Sequence, residues 1–295
     1  MKCYISILII LCLVLSGCAA DRPVAQIAAT TLPVYEFTLR LCEGTGITVT
    51  QLVTESVSCL HDYTLQVGQM QALEGAETVI ISGAGLEEFL EDALHGVNSV
   101  IDASSGIQLI CPEEGSDHEE HDHDDHGHHH ESDPHIWLSP AHAADMAQNI
   151  CIGLTAKYPA YGDVFAANLD KLLADLQALD DYGQTQLSQL TYREIITFHD
   201  GFAYFAEHYG LEILRAVEEE SGSEASAAEL IELIRMVEDH DLPAIFIEAN
   251  GADAAAGIIS AETDTQIHIL DMAMSGESYF NAMYHNINTL KEALE

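Results

Sequence analysis

A long amphipathic helix in the middle of the chain most constrains what this sequence can fold into. From 159 to 190, large apolar residues recur at spacings of four, three, four and three, and the only glycine after Gly162 is Gly183. These residues are Phe165, Leu169, Leu172, Leu176 and Leu179. The period predicts one helix, of order 40 Å or more at about 1.5 Å per residue. Since this is too long for an ordinary crossover, we interpret it as a stiff connector between two lobes.

The segments on both sides of this helix alternate between strand and helix patterns. Strands are predicted at 24–31, 47–53, 78–83 and 99–102 before the connector, and at 194–198, 211–217, 244–248 and 267–270 after it. Helices are predicted at 33–41, 64–73, 86–94, 140–157, 202–209, 226–241, 253–261 and 278–294. Such alternation favours an α/β fold with two lobes, each a parallel sheet flanked by helices, joined by one long rigid helix.

The expected division of the chain follows from this pattern. A signal segment occupies 1–17, an N-terminal α/β lobe 18–157, the connecting helix 158–190 and a C-terminal α/β lobe 191–295. After removal of the signal about 275 residues remain, and a chain of that size, roughly half apolar, can bury two cores.

The start of the chain predicts export and anchoring. Met1 and Lys2 precede an apolar run from 3 to 15, which is too short for a permanent membrane span and is typical of a signal peptide. The residues Leu15-Ser16-Gly17-Cys18 resemble the lipobox of bacterial lipoproteins, which implies cleavage before Cys18 and attachment of lipid to its sulfur. Several acyl chains would hold the protein on the membrane. No other segment reaches transmembrane length, so we expect a body tethered at one end on the outer face of the cell membrane.

The charge of the chain limits its ligands. The formal net charge is −40, and residues 113–133 supply ten negative charges without any Lys or Arg. Such acidity argues against nucleic acid and anionic membrane surfaces as ligands, and in favour of cations. After the signal and Cys18, four cysteines remain (Cys42, Cys59, Cys111, Cys151), and they allow three pairings between which the sequence does not choose.

A histidine-rich tract from 117 to 131 points to the kind of cation. It has no apolar side chain, so it cannot offset its ordering entropy by burial and is predicted to be a mobile surface loop. Imidazole with carboxylate suits borderline divalent ions, above all Zn²⁺. We interpret seven residues as auxiliary, weaker metal ligands: His118, His121, His123, His126, His128, His129 and His130. The alternative is an acidic solvated loop with an accidental histidine content.

Outside the tract, four candidate ligands lie where the loops of an open α/β sheet bind ligands, beyond the carboxyl ends of strands. His61 follows the second predicted strand, His135 follows the tract, His199 follows the strand at 194–198, and Asp271 follows the strand at 267–270. Two of these residues come from each lobe, so all four could coordinate one ion between the lobes. Three neutral imidazoles and one carboxylate make a closed tetrahedral site for Zn²⁺.

The motifs around these residues resemble those of the zinc-binding solute-binding lipoproteins of bacterial ABC transporters. Three stretches carry the resemblance: His61-Asp62-Tyr63, Asp133-Pro134-His135-Ile136-Trp137-Leu138 with its preceding tract, and Phe198-His199-Asp200-Gly201-Phe202. A fourth is Leu270-Asp271 with Tyr279, Met283, Asn286 and Leu290. The resemblance implies two α/β lobes with the metal in the cleft between them.

The same resemblance implies extracytoplasmic capture of zinc and delivery to an ABC-type permease in the membrane. His199 stands where manganese-type relatives tend to have glutamate, which favours Zn²⁺ over Mn²⁺. We expect a monomer that is not an enzyme, since neither a His-Glu-x-x-His helix nor a Gly-x-Ser-x-Gly elbow occurs. The alternatives are a surface adhesin or metal buffer without transport, and a zinc hydrolase if Asp271 does not bind the ion.

Overall fold

The computed structural model describes residues 26–55, 60, 63–111, 132–217, 225–249 and 254–295. The expected signal segment, Cys18, His61 and the histidine-rich tract lie outside these residues. The described chain forms two lobes, and each is built on a four-stranded parallel sheet flanked by helices. The predicted fold class is confirmed.

The N-terminal lobe has the strand order β2-β1-β3-β4, and every neighbouring pair is parallel. Its strands are β1 (Ile27–Ala29), β2 (Val49–Gln51), β3 (Thr78–Ile81) and β4 (Val100–Asp102). Its helices are α1 (Leu32–Leu41), α2 (Val67–Gly75), α3 (Glu91–Leu94) and α4 (Pro140–Lys157), with 3-10 turns at Glu88–Leu90, Ile136–Leu138 and Pro159–Tyr161. Helix α4 begins at the predicted proline, whose fixed φ suits the first helical position.

The C-terminal lobe repeats this order as β6-β5-β7-β8, again with parallel neighbours. Its strands are β5 (Glu194–Thr197), β6 (Glu212–Ala216), β7 (Ala244–Glu248) and β8 (Gln266–Leu270). Its helices are α6 (Ala203–Tyr209), α7 (Ala227–Asp239), α8 (Ala254–Thr263) and α9 (Tyr279–Leu294), and the long helix α5 (Gly162–Leu187) precedes them. Strand β7 is central and buried throughout, as its continuous apolar run predicts.

The long helix α5 is present and measures about 39 Å for its 26 residues. It is shorter than predicted because 159–161 forms a separate 3-10 turn and the helix ends at Leu187. Its glycine has a packing role, since a Cβ at Gly183 would lie 2.5 Å from the ring of Tyr209. The missing side chain therefore lets α6 lie directly against the long helix.

One segment of the N-terminal lobe differs from its prediction. A helix was expected over 86–94, but a 3-10 turn (Glu88–Leu90) is followed by only one α-helical turn (Glu91–Leu94). Three consecutive residues from Gly83 have positive φ, so the chain leaves β3 through a tight turn rather than a helix. Glu87 then turns inward, where its carboxylate accepts hydrogen bonds from the backbone of this turn.

The two lobes share one hydrophobic core instead of burying the two separate cores that chain length suggested. Within the described chain the main apolar cluster takes residues from both lobes and from α5, and a smaller cluster covers the outer face of each sheet. Trp137 stands at the centre, where its indole donates to the carbonyl of Met272 at 2.7 Å and its own carbonyl accepts from the hydroxyl of Tyr279 at 2.8 Å. The lobes are thus joined by buried contacts as well as by the long helix.

Arg193 links the end of the long helix to α6 of the C-terminal lobe. The guanidinium of Arg193 donates to the carbonyls of Leu187 and Ser188 at the end of α5, and to those of Tyr209 and Gly210 at the end of α6. A cation at the carboxyl end of a helix satisfies its unpaired carbonyls and opposes the helix dipole.

Within the described residues, no helix combines the length and apolar character needed to cross a membrane.

Candidate metal centre

The C-terminal lobe brings three polar side chains to the carboxyl edge of its sheet, where the carboxyl ends of its parallel strands lie. His199 follows β5, Glu248 is the last residue of β7, and Asp271 directly follows β8. His199 and Glu248 are 4% and 5% exposed. Because these three strands are neighbours in one parallel sheet, their ends converge, and this is the usual ligand-binding edge of such sheets.

The N-terminal lobe contributes His135 from the segment that follows the tract. The Oδ1 atom of Asp133 accepts a hydrogen bond from the backbone N–H of His135 at 2.8 Å and lies 2.8 Å from its ring Nδ1. An aspartate that bonds the backbone two residues later forms a common turn. The ring of His135 is therefore held on its Nδ1 side and is only 4% exposed.

The two histidines meet across the junction between the lobes. The ring centroids of His135 and His199 are 5.2 Å apart with the planes at 87°, and Trp137 packs edge-on against His135 at 5.3 Å. Zinc binds imidazole nitrogen at about 2.0–2.1 Å, so rings at this separation can share one ion. Both rings are almost fully buried, which excludes bulk water from the space between them.

A glycine allows this close approach. A Cβ at Gly201 would lie 2.9 Å from Cδ2 of His199 and 3.0 Å from Nδ1 of His135. It would also lie 2.5 Å from the methyl carbon of Met272. Residues from both lobes thus converge on the space that the glycine leaves open.

Asp271, which precedes Met272 in the chain, is held by its backbone. Its N–H donates to Oδ1 of Asn286 at 2.7 Å, and its carbonyl accepts from Nδ2 of the same buried asparagine at 2.7 Å. The Oδ1 atom of Asp271 accepts from the N–H of Ala273 at 2.8 Å. Asn286, on α9, therefore fixes the position of the backbone at the end of β8.

The structure brings two of the predicted ligands together. His135 and His199 are in contact, and Asp271 is adjacent in sequence to Met272, which reaches the same glycine. His61 and all seven histidines of the tract lie outside the described residues. Among the residues that are described, no group of three or more His, Cys, Asp or Glu side chains is close enough to hold a metal ion.

Sequence reasoning missed the roles of Asp133, Glu248 and Gly201. Asp133 and Gly201 stood inside motifs that were noted, but no position in space was assigned to them. A signal for Glu248 did exist, since a carboxylate ends the otherwise apolar run of β7 at the ligand-binding edge. The remaining cysteines could not be paired from sequence, and Cys42, Cys111 and Cys151 are free thiols while Cys59 is outside the described residues.

Comparison with known proteins identifies the family. The family model for the periplasmic component A of the zinc-uptake complex, ZnuA, matches residues 27–293. The chain belongs to this family. The match includes both lobes, the long helix and every candidate ligand outside the tract.

Individual relatives agree with this assignment. The zinc-binding lipoprotein AdcA of Streptococcus pneumoniae serotype 4 is 30% identical over 281 residues, which are 92% of this chain and 56% of AdcA. The chain thus spans about half the length of that relative. The high-affinity zinc uptake system protein ZnuA of Bacillus subtilis is 29% identical over 283 residues, 91% of this chain and 87% of that protein. A crystal structure of ZnuA superposes with a TM-score of 0.78 at 27% identity, over 92% of this chain and 100% of that one.

Proposed function

We propose that this protein captures Zn²⁺ outside the cytoplasm and delivers it to an ABC-type permease in the membrane. Its family and the relatives named above are zinc-uptake and zinc-binding proteins, which supports the choice of ion and process. The observation that carries the proposal is the meeting of His135 and His199, one from each lobe, as buried rings 5.2 Å apart. Two buried imidazoles suit a borderline ion such as zinc better than the harder Mn²⁺.

We propose His61, His135, His199 and Asp271 as the ligands, with zinc as the transported cargo. His135 and His199 fit this role because an acid from each one's own lobe faces its Nδ1 atom, and we assign the Nε2 atoms to the ion. The carboxylate of Asp271 would partly neutralise the ion, since Zn²⁺ with one carboxylate and three neutral imidazoles forms a tetrahedral site of net charge about +1. The tract histidines would form auxiliary, weaker sites.

The test is a zinc titration of the protein without its signal segment, with elemental analysis of the bound metal. We expect His135→Ala and His199→Ala each to weaken the tightest zinc dissociation constant by on the order of 100-fold or more, because a closed site loses one of four bonds. His95→Ala is the matched control, since this exposed histidine lies at the end of α3, away from the site. Unchanged affinity in both site variants would show that zinc binds elsewhere.

Delivery requires its own experiment. Growth under zinc limitation and uptake of labelled zinc should depend on this protein and on its permease, and both should fail in the His199→Ala strain. Binding without any effect on uptake would favour the adhesin or buffer alternatives. Hydrolase assays on the zinc-loaded protein should show no turnover, since we propose a closed site without an open position for water.

The anchor is proposed from Cys18, which lies outside the described residues. Cys18→Ser should release the protein from the membrane fraction and leave its zinc affinity unchanged, because the signal end is remote in sequence from every proposed ligand. A variant that remains firmly bound to membranes would disprove lipid attachment at this residue.

A further inference from the structure

Each of the two buried imidazoles has a carboxylate on its Nδ1 side, and each carboxylate comes from the same lobe as its histidine. In the N-terminal lobe, Oδ1 of Asp133 lies 2.8 Å from Nδ1 of His135. In the C-terminal lobe, Oε1 of Glu248 lies 3.8 Å from Nδ1 of His199. The acids are 12% and 5% exposed at their side chains, so both pairs are shielded from solvent.

Asp133 is fixed before any ion binds. Its backbone N–H donates to the carbonyl of Ile110 at 2.9 Å, and its carbonyl accepts from the hydroxyl of Tyr204 at 2.9 Å. Burial raises the pKa of Tyr204 to about 12, so this phenol stays protonated and keeps its proton to donate. With the two bonds to His135, four contacts hold Asp133 in place, two through its backbone and two through its carboxylate.

Glu248 is placed by the sheet rather than by a turn. It ends β7, which pairs with β5, the strand that leads to His199, so the two side chains leave adjacent strands at the same edge. Its 3.8 Å distance from Nδ1 of His199 is longer than a hydrogen bond but within the range of an ion pair. The pair in the N-terminal lobe is therefore at hydrogen-bond distance, and the pair in the C-terminal lobe is at ion-pair distance.

We propose that Asp133 and Glu248 are positioning residues that hold the Nδ1 sides of His135 and His199 and so present both Nε2 atoms to the zinc ion. This inference rests on the proposed function. A carboxylate on one ring nitrogen fixes the tautomer, stops the ring from turning over and makes the other nitrogen a stronger donor to the metal. Gly201 reinforces the arrangement because the rings and Met272 fill the space beside it.

The different distances assign different parts to the two acids. Asp133 lies at hydrogen-bond distance from His135, whereas Glu248 lies at ion-pair distance from His199. We therefore expect the Nδ1–H tautomer of His135 to dominate in the zinc-free protein.

The test compares Asp133→Asn and Glu248→Gln with a matched pair elsewhere in the same chain. Oδ1 of Asp180 on α5 lies 2.7 Å from Nε2 of His208 on α6. Asp180→Asn therefore removes a carboxylate beside a histidine ring outside the site. Each variant is measured by nitrogen NMR of its histidine rings, by zinc titration and by thermal unfolding. We expect Asp133→Asn and Glu248→Gln to weaken zinc binding by about 10- to 100-fold and to change the tautomer signals of His135 and His199 respectively. Asp180→Asn should change only the signals of His208.

Two outcomes separate the inference from the proposed function. If the two acid variants keep wild-type tautomers and affinity while His135→Ala loses zinc, the positioning role is wrong and the ligand assignment stands. If His135→Ala also keeps its zinc, the proposed site itself is wrong. Should Asp133→Asn lose its fold, Asp133→Glu takes its place: the wild-type tautomer of His135 with at least part of the wild-type affinity supports positioning, and wild-type affinity with a changed tautomer overturns it.

Discussion

In the N-terminal lobe the strand ends carry polar side chains that bond to one another, whereas in the C-terminal lobe they carry the proposed ligands His199 and Asp271 and the acid Glu248. Both sheets have the same order, with the first strand of each lobe beside the second and third and the fourth at the edge. Topology therefore supplies two equivalent carboxyl edges. The residues placed there decide which one carries the candidate metal site.

At the carboxyl edge of the N-terminal sheet, polar side chains form hydrogen bonds with one another. The hydroxyl of Thr30 donates to Glu87 at 2.6 Å, and the hydroxyls of Thr31 and Ser82 lie 2.7 Å apart. Asp102, at the end of β4, accepts from the N–H and hydroxyl of Ser104 at 2.8 and 2.7 Å. Such groups stabilise the turn that they cross-link.

The N-terminal lobe instead supplies its proposed ligands from segments outside its strand ends. His135 lies directly before the 3-10 turn Ile136–Leu138, and in the sequence His61 falls between β2 and α2. In the other lobe His199 and Asp271 follow strands directly. The comparison teaches that a repeated fold can place a site at one edge and structural bonding at the other.

The largest expected effect follows from changing the donor at the C-terminal edge. His199→Glu replaces a borderline nitrogen donor with a hard oxygen donor and adds a negative charge beside Glu248. We expect zinc binding to weaken relative to manganese binding by on the order of 100-fold. Competition titrations with both ions measure the ratio. An unchanged ratio, with His95→Glu as the control for added surface charge, would mean that His199 does not contact the ion.

The second prediction concerns Glu87 at the N-terminal edge. Burial raises the pKa of its carboxyl from 4.5 to about 7, against the opposing effect of its hydrogen bonds. A raised pKa in the folded state means that the stabilising contribution is complete below about pH 4.5 and is lost as the pH rises through about 7. Between pH 4 and pH 8 the loss should be about 3 kcal/mol, since one pKa unit is about 1.4 kcal/mol.

The measurement is the free energy of unfolding of the zinc-free protein at several pH values, for wild type and Glu87→Gln. The difference between the two should change by about 3 kcal/mol across this range, while zinc affinity at neutral pH should stay near wild type. Glu91→Gln, an exposed residue on the following helical turn, is the control. A parallel pH dependence in wild type and Glu87→Gln would show that the pKa of this carboxyl is not raised by folding. A large loss of zinc affinity in Glu87→Gln would show that the N-terminal edge also takes part in metal binding.

Much of this architecture could be predicted from the sequence because its signals are local. The unbroken apolar run of β7 and the proline that opens α4 gave bounds that the structure reproduces. His199 and Asp271 could be placed at strand ends for the same reason. These features depend on periodicity and on residues that begin or end an element.

Contacts between distant parts of the chain could not be predicted in this way. The inward turn of Glu87 shortened a predicted helix, because its carboxylate bonds to the backbone after β3. The shared core depends on how Trp137 meets Met272 and Tyr279 from the other lobe. The pairing of Glu248 with His199 depends on the order of strands in the sheet, which no local pattern encodes.

The third prediction tests the space between the lobes. Gly201→Ala adds a methyl group within about 3 Å of both imidazoles, at a glycine whose φ is outside the left-handed region, so its effect is steric. Overpacking typically costs about 1–3 kcal/mol, and we expect zinc affinity to fall roughly tenfold as the two rings separate. Gly257→Ala in α8 is the matched control, since nothing lies within 4 Å of its added Cβ. Equal affinity for the two variants would show that the rings do not need this approach.

The smallest effect on tight binding is expected from the histidine-rich tract. Although the tract lies outside the described residues, the chain on its two sides is joined: the N–H of Asp133 donates to the carbonyl of Ile110, and the hydroxyl of Tyr204 contacts both flanks. Deletion of 117–131 should therefore leave His135 in place. The number of bound zinc ions should fall to one, and the tightest dissociation constant should stay within about tenfold, or about 1.4 kcal/mol.

Capture from dilute zinc should slow in the same deletion variant, because the acidic residues of the tract raise the local concentration of cations in the wild type. Added salt should reduce the difference in capture rate between the two proteins. Calorimetry gives the stoichiometry and affinity, and stopped-flow competition gives the rate. A wild-type capture rate would remove the proposed role of the tract. Loss of the tight site would have a deeper consequence, because the tract would then supply its ligands. In that case the convergence of His135 with His199 across the lobes would be packing alone.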